Sequence, residues 1–278
     1  MRIIQVSDTH VSAARPFFDA NTAAVRAWLA AQSPDLIVHT GDVAMDGAAD
    51  VADLALAARW VQGFAAPVLS VPGNHDVGDT AAIKPTQAVD DARLAAWRAQ
   101  FGADRWLVDQ GGWRLIGLNA MLFATGHAEE ERQFEWLAQA LRTTAPVALF
   151  QHKPLFIDRP DEGPRGYWTV LPAPRRRVLD LLAGANVRLI GSGHLHIHRQ
   201  LSHEGIAHVW APSAAFVCGE SQEDLGGSRR LGAMIHDFTA DGVTSRFIRP
   251  DGLEDLTIEP VQHIIYPNGV DTNPDRAA

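Results

Sequence analysis

His194, His196 and His198 occupy alternate positions of the decapeptide GSGHLHIHRQ, 191–200, in a chain that has twelve histidines in all. On an extended backbone alternate side chains point the same way, so the spacing predicts imidazoles converging on one point. A metal ion is what such a cluster of imidazoles binds. One histidine pair does not complete a metal site, so further donors must come from elsewhere in the chain. Four other stretches offer them: VSDTH with Asp8 and His10, VHTGD with Asp42, VPGNHD with Asn74, His75 and Asp76, and LFQHKP with His152. Carboxylate, imidazole and amide donors without thiolate suit Mn, Fe or Zn. Asp8, His10, Asp42, Asn74, His152, His194 and His196 are too many for one tetrahedral ion. They match two ions sharing a bridging carboxylate.

Each of these stretches ends an apolar run. Strands are expected at 3–6, 36–39, 68–71, 113–118, 147–150 and 187–190. Helical periodicity lies between them at 23–31, 50–64, 92–101, 130–141 and 174–182. This β-then-α rhythm is that of a layered α/β domain. Ligands of such domains collect beyond the carboxyl ends of the strands, where all seven donors fall. Gly41, Gly73 and Gly193 stand just before donor residues, where the backbone must turn sharply or pass close to a neighbour. Beyond His196 the expected strands at 206–210, 232–238 and 242–248 have no long helix between them, which predicts an antiparallel portion.

The chain has 278 residues, a net charge of −9 and 46% hydrophobic residues, enough for one large domain. Arg175–Arg177 is its most basic run, so a footprint for duplex nucleic acid is absent. The single cysteine, Cys218, excludes a disulfide framework and a Cys-based zinc site. MRIIQVSDTH enters a strand directly, without the pattern of a signal peptide, and no apolar stretch is long enough to span a bilayer. The chain therefore reads as soluble and cytoplasmic.

The ordered set DTH, GD, GNHD, the lone histidine of QHKP, and GHLH resembles the calcineurin-like metallophosphoesterases, most nearly the class III cyclic-nucleotide phosphodiesterases. The resemblance covers residues 3 to about 200. It implies a four-layer α/β/β/α sandwich of two packed mixed β-sheets flanked by helices, in a domain over 1–250 with a partly irregular tail over 251–278. It also implies that Asp8, His10 and His196 hold one ion, that Asn74, His152 and His194 hold the other, and that Asp42 bridges them. A metal-bridging hydroxide would then attack phosphorus in line. His75 would sit beside the leaving-group oxygen, with Asn74 also near the substrate, and Asp76 would orient His75.

Three departures narrow the class. GDVAMDG and GNHDVGD lack the arginines of the protein Ser/Thr phosphatases, Met45 stands where purple acid phosphatases carry a ligating tyrosine, and no basic DNA-engaging region is present. The expectation is a phosphodiesterase for a small molecule, with cyclic nucleotides foremost. A phosphomonoesterase or a nucleotide-lipid pyrophosphohydrolase on the same ions is the alternative, and a non-enzymatic scaffold is disfavoured because every position is filled.

The other candidates are less specific. His39 reads as a packed core histidine, His198 as an outer partner or surface residue, and Asp46 as a turn or cap residue whose functional role stays open. His127, His203, His208, His236 and His263 carry no motif. The stretch IDRPDEGPRGYW, 157–168, is long enough to overhang the metal edge. There Tyr167 or Trp168 could stack a base and Arg159 or Arg165 could touch phosphate, an ordinary surface loop being the equal alternative. HIIYP, 263–267, could pack on the domain or on a second subunit, which leaves a homodimer open.

Overall fold

The computed structural model describes residues 1–265. Its elements in chain order are β1 (Arg2–Val6), α1 (Asp19–Ala30), β2 (Leu36–His39), α2 (Val51–Val61), β3 (Val68–Ser70), α3 (Asn74–Val77), α4 (Asp91–Phe101), β4 (Trp106–Gln110), β5 (Trp113–Leu118) and α5 (Ala128–Ala140). These are followed by β6 (Val147–Gln151), α6 (Pro172–Leu182), β7 (Val187–Ser192), β8 (Arg199–His203), β9 (Ile206–Trp210), β10 (Ala233–Phe238), β11 (Val243–Ile248) and α7 (Gln262–Ile265). One sheet runs β11-β10-β1-β2-β3 and the other β4-β5-β6-β7-β9-β8. The neighbours β1-β2-β3 and β5-β6-β7-β9 are parallel, and β10, β11, β4 and β8 pair antiparallel, so both sheets are mixed.

Strand alternation divides the apolar side chains between two layers of packing. Ile3, Leu36, Val38, Ala148, Phe150 and Leu189 fill the space between the sheets. Their chain neighbours Ile4, Val6 and Ile37 pack outward against Val25 and Leu29 of α1, and Val147, Leu149 and Ile190 pack against α5 and α6. Both faces of the central strands are buried, which is why those strands read as unbroken apolar runs. The result is the expected α/β/β/α sandwich.

Two strands were not expected from the sequence, β4 and β8. Both lie at the edges of the second sheet, and β8 alternates half-buried and exposed residues. As an edge strand β8 packs on few neighbours and carries little apolar signal, whereas β4 packs Trp106 and Leu107 against the core. For β4 the GG turn was the available cue: Gly111 and Gly112 both have positive φ, as a two-residue hairpin turn requires. The expected helix at 50–64 is shorter, because Asp50 is its N-cap and accepts from the Ala52 N–H. The expected helix at 23–31 begins earlier, at Asp19.

Residues 251–265 pack on the body of the fold. Leu253, Ile258 and Ile265 are buried, and the Asn21 side chain of α1 accepts from the Glu254 N–H at 2.9 Å. In the segment HIIYP, Ile264 is exposed, and Tyr266 and Pro267 lie outside the described residues. No helix among the described residues is long and apolar enough to cross a membrane.

A polar bridge ties the sheets together beneath the candidate site. Gln5 of β1 donates to Thr40 Oγ1 at 3.0 Å and to the carbonyl of Ser192 in β7 at 3.1 Å. Its Oε1 lies 3.0 Å from His236 Nε2, and His236 Nδ1 lies 2.7 Å from Ser245 Oγ. His236, which carried no motif, is therefore a core residue. Burial pushes its pKa from 6.5 down to about 3. The folded state holds a neutral ring while the unfolded chain takes up a proton below the ordinary value. Its stabilisation is thus complete above the unfolded pKa and is lost as pH falls towards the folded one. Urea unfolding at pH ~7 and pH ~4 should show the native protein losing about 3 kcal/mol more than His236→Gln across that range. Equal losses would mean that the ring titrates normally in the fold.

Candidate metal centre

The C-terminal ends of β1, β2, β3, β6 and β7 meet at one edge spanning both sheets. Asp8 and His10 follow β1, Asp42 follows β2, Asn74 opens α3 just after β3, His152 follows β6, and His194 and His196 follow β7. All seven side chains are buried. The turns that carry them are strained: Asp8, His10, Asp42, His194 and His196 have φ of 55°, 46°, 52°, 72° and 55°. Non-glycine residues rarely adopt this left-handed region, and they persist there only where the surroundings enforce it, typically at functional sites.

Those angles correct the reading of GSGHLHIHRQ. β7 ends at Ser192, and His194 and His196 lie in a left-handed loop rather than on an extended strand. They do not share one point: His196 joins Asp8 and His10, and His194 joins Asp42 and His152. His198 falls outside the cluster, its ring 5.1 Å from Phe247. The close approaches expected of the glycines are present. A Cβ on Gly73 would lie 2.2 Å from Asp42 Oδ1, and one on Gly193 would lie 1.9 Å from Ser7 Oγ.

Backbone carbonyls decide which ring nitrogens face the centre. A carbonyl only accepts, so the nitrogen against it carries the proton. His152 Nδ1 lies 2.7 Å from the Thr40 carbonyl, His196 Nδ1 lies 2.7 Å from that of Phe216, and His194 Nε2 lies 2.8 Å from that of Tyr167. In the neutral rings the inward atoms are therefore lone pairs: His152 Nε2, His196 Nε2 and His194 Nδ1. His152 Nε2 is 3.2 Å from His194 Nδ1, 3.2 Å from Asn74 Oδ1 and 3.3 Å from Asp42 Oδ2. His196 Nε2 is 3.2 Å from His10 Nε2 and 3.3 Å from Asp8 Oδ1.

Each carboxylate is divided in its duties. Asp8 Oδ2 accepts from the His194 N–H at 3.1 Å while Oδ1 is buried with no hydrogen-bond partner. Asp42 Oδ1 accepts from the His75 N–H at 2.8 Å, leaving Oδ2 between the groups, 3.9 Å from His10 Nε2 and 3.3 Å from His152 Nε2. Buried lone pairs facing one another are costly unless a cation sits among them. Among the described residues three groups have the spacing to hold an ion: Asp8-His10-His196, Asp42-His152-His194 and His10-Asp42-His75. The donor set thus fits two hard or borderline cations.

Charge in the cluster is distributed accordingly. Burial, aided by His75, holds His10 well below its ordinary value, and burial, aided by His152, does the same to His194. Burial opposes a charge on His152, yet Asp42 lifts that ring to about 9, so at neutral pH His152 Nε2 holds a proton towards Asp42 that a bound cation would displace. Burial likewise opposes ionisation of Asp42, but the surrounding imidazoles, His152 foremost, hold it well below the usual carboxylate range.

His75 Nδ1 lies 2.6 Å from the Met45 carbonyl, and its ring centroid is 4.7 Å from that of His10. The Asp76 carboxylate accepts from the backbone N–H groups of Val43 at 3.2 Å, Ala44 at 2.9 Å and Gly73 at 2.9 Å. It clamps the loop that bears Asp42 and Met45, and so supports the carbonyl against which His75 Nδ1 lies. Burial, then Asp42, pushes the Asp76 carboxyl up to about 7.

The remaining candidates have structural roles. His39 is buried with Nε2 3.1 Å from Thr9 Oγ1, and burial takes it down to about 4. Asp46 pairs with Arg15 at 2.8 Å, and His127 caps α5. In the 157–168 segment Arg159 pairs with Asp161 at 3.1 Å, and Trp168 packs on the cluster of Ile157, Leu195, Ile197 and Trp210. Tyr167 reaches the centre itself: Asn74 Nδ2 donates to its hydroxyl at 3.1 Å. The carbonyls of Thr40, Phe216 and Tyr167 were invisible to sequence reasoning, because every residue has one. A buried ion pair missed from the sequence, Lys153–Asp79 at 2.7 Å, braces the loops bearing His152 and Asn74.

Comparison with known proteins gives a consistent result. The calcineurin-like phosphoesterase profile matches residues 1–198. The serine/threonine-protein phosphatase CPPED1 of Homo sapiens is 27% identical over 203 residues, covering 70% of this chain and 60% of the relative. The 3′,5′-cyclic adenosine monophosphate phosphodiesterase CpdA of Escherichia coli K12 is 32% identical over 170 residues, 56% of each chain. The chain thus spans only about three-fifths of the length of these curated relatives. A dimetal phosphatase structure from Danio rerio superposes with a TM-score of 0.60 at 15% identity, covering 92% of this chain and 98% of the other, which shows a shared fold.

Proposed function

Because this chain belongs to the calcineurin-like phosphoesterase family, we propose that it is a metal-dependent phosphoric ester hydrolase acting on a small phosphodiester, with cyclic nucleotides the first class to test. The observation that carries this reading is the convergence of lone pairs. Inward-facing nitrogens fixed by carbonyls, the unpartnered Oδ1 of Asp8 and the Asp42 Oδ2 among the imidazoles leave a buried site suited to cations. Asp8, His10 and His196 would hold one ion, Asn74, His152 and His194 the other, and Asp42 both.

When bound, two such ions supply positive charge for the phosphoryl oxygens and lower the pKa of water. The chain's own part is to fix the donors, exclude bulk water from a buried pocket, and present His75. With Nδ1–H held on the Met45 carbonyl, His75 would donate to the departing oxygen from Nε2 in its doubly protonated form, which burial opposes and neighbouring Asp42 favours. A phosphomonoesterase is the second reading, supported by the likeness to CPPED1. Mn²⁺-reconstituted protein assayed on bis(p-nitrophenyl) phosphate, p-nitrophenyl phosphate and 3′,5′- and 2′,3′-cyclic nucleotides separates the two. Preference for the diesters is expected. Turnover of the monoester alone would overturn it.

A further inference from the structure

The 157–168 segment is firmly anchored. The Glu162 carboxylate accepts from the N–H groups of Ile157, Asp158 and Arg159 at 2.7, 3.0 and 3.3 Å. Buried Arg175 of α6 bonds the carbonyls of Leu155 and Glu162, and Arg199 of β8 bonds the Ile157 carbonyl and the Asp158 carboxylate at 3.1 and 2.7 Å. At its end Tyr167 lies against the centre, its ring 4.7 Å from that of His194. Lys153 Nζ lies 5.6 Å from the same ring. A ring held between His194 and Lys153 is poorly placed to stack a base.

We infer that Tyr167 is a positioning residue for one of the two ions, setting Asn74 through its hydroxyl and His194 through its carbonyl. The inference rests on the metal reading above. An asparagine that gives Oδ1 to a cation must place its Nδ2–H₂ group elsewhere, and in a buried site that group needs an acceptor. Asn74 is fully buried, and the Tyr167 hydroxyl is the acceptor at 3.1 Å. The carbonyl of the same residue takes the Nε2 proton of His194 at 2.8 Å, which leaves Nδ1 as the donor facing His152. One residue of a loop outside the sequence motifs thus orients two donors of a single group. Removing a partner of this kind weakens metal binding.

Tyr167→Phe keeps the ring and the carbonyl and removes only the hydroxyl. Chelator-stripped native and variant proteins would be titrated with Mn²⁺ by calorimetry, with thermal melts confirming the fold of each. The native protein should bind two ions. The variant should bind one as tightly and the other ~10- to 100-fold more weakly. Its kcat should return to the native value at saturating Mn²⁺, with KM unchanged. Two ions bound with native affinity, together with a raised KM for cyclic nucleotides only, would overturn the inference and make Tyr167 a substrate contact. A native protein that binds fewer than two ions would instead remove the metal reading, and this inference with it.

Discussion

His75→Ala should retain two bound ions yet lower kcat by ~10²- to 10⁴-fold, the usual effect of a positioned acid. The expectation follows from where the ring is held. Its Nδ1 is occupied by the Met45 carbonyl, so a proton for the leaving oxygen would have to come from Nε2. The defect should be largest with a ribose alkoxide, which needs a proton to depart, and should shrink with p-nitrophenolate, a far weaker base. Metal analysis beside the two assays is decisive, because His75 also has the spacing to share an ion with His10 and Asp42. Loss of an ion would make His75 a ligand, and equal impairment with both leaving groups would contradict its role as the leaving-group acid.

Asp42→Asn should weaken both ions, by ~10²-fold or more, since a shared ligand matters more than the outer partners whose loss costs ~10- to 100-fold. The Asp42 Oδ2 atom stands between the histidines of the two groups, and its charge offsets the mutual repulsion of two cations. Asn can still accept the His75 N–H that now bonds Asp42 Oδ1, so the turn has its hydrogen bond and the fold should persist. Mn²⁺ titration of the variant measures the effect. A single weakened ion beside a native one would assign Asp42 to one site only.

Which residues meet, and on what kind of fold, was legible in the sequence because both follow from local chemistry. Apolar runs buried on both faces mark central parallel strands, their carboxyl ends share an edge, and donors placed just after them must gather there. Gly41, Gly73 and Gly193 were legible for the same reason, since a missing side chain records a close approach. How the donors meet was decided by tertiary structure alone. The left-handed turn of His194 and His196, the choice of ring nitrogen by the Thr40, Phe216 and Tyr167 carbonyls, and the Asp76 clamp on the Asp42 loop all depend on backbone groups. Backbone groups are the same in every residue, so only the fold determines which of them stands beside a given imidazole or carboxylate. The placement of Tyr167 over Asn74 belongs with them. It is fixed by a neighbour distant in the chain, and such a contact leaves no periodicity or motif in the segment itself.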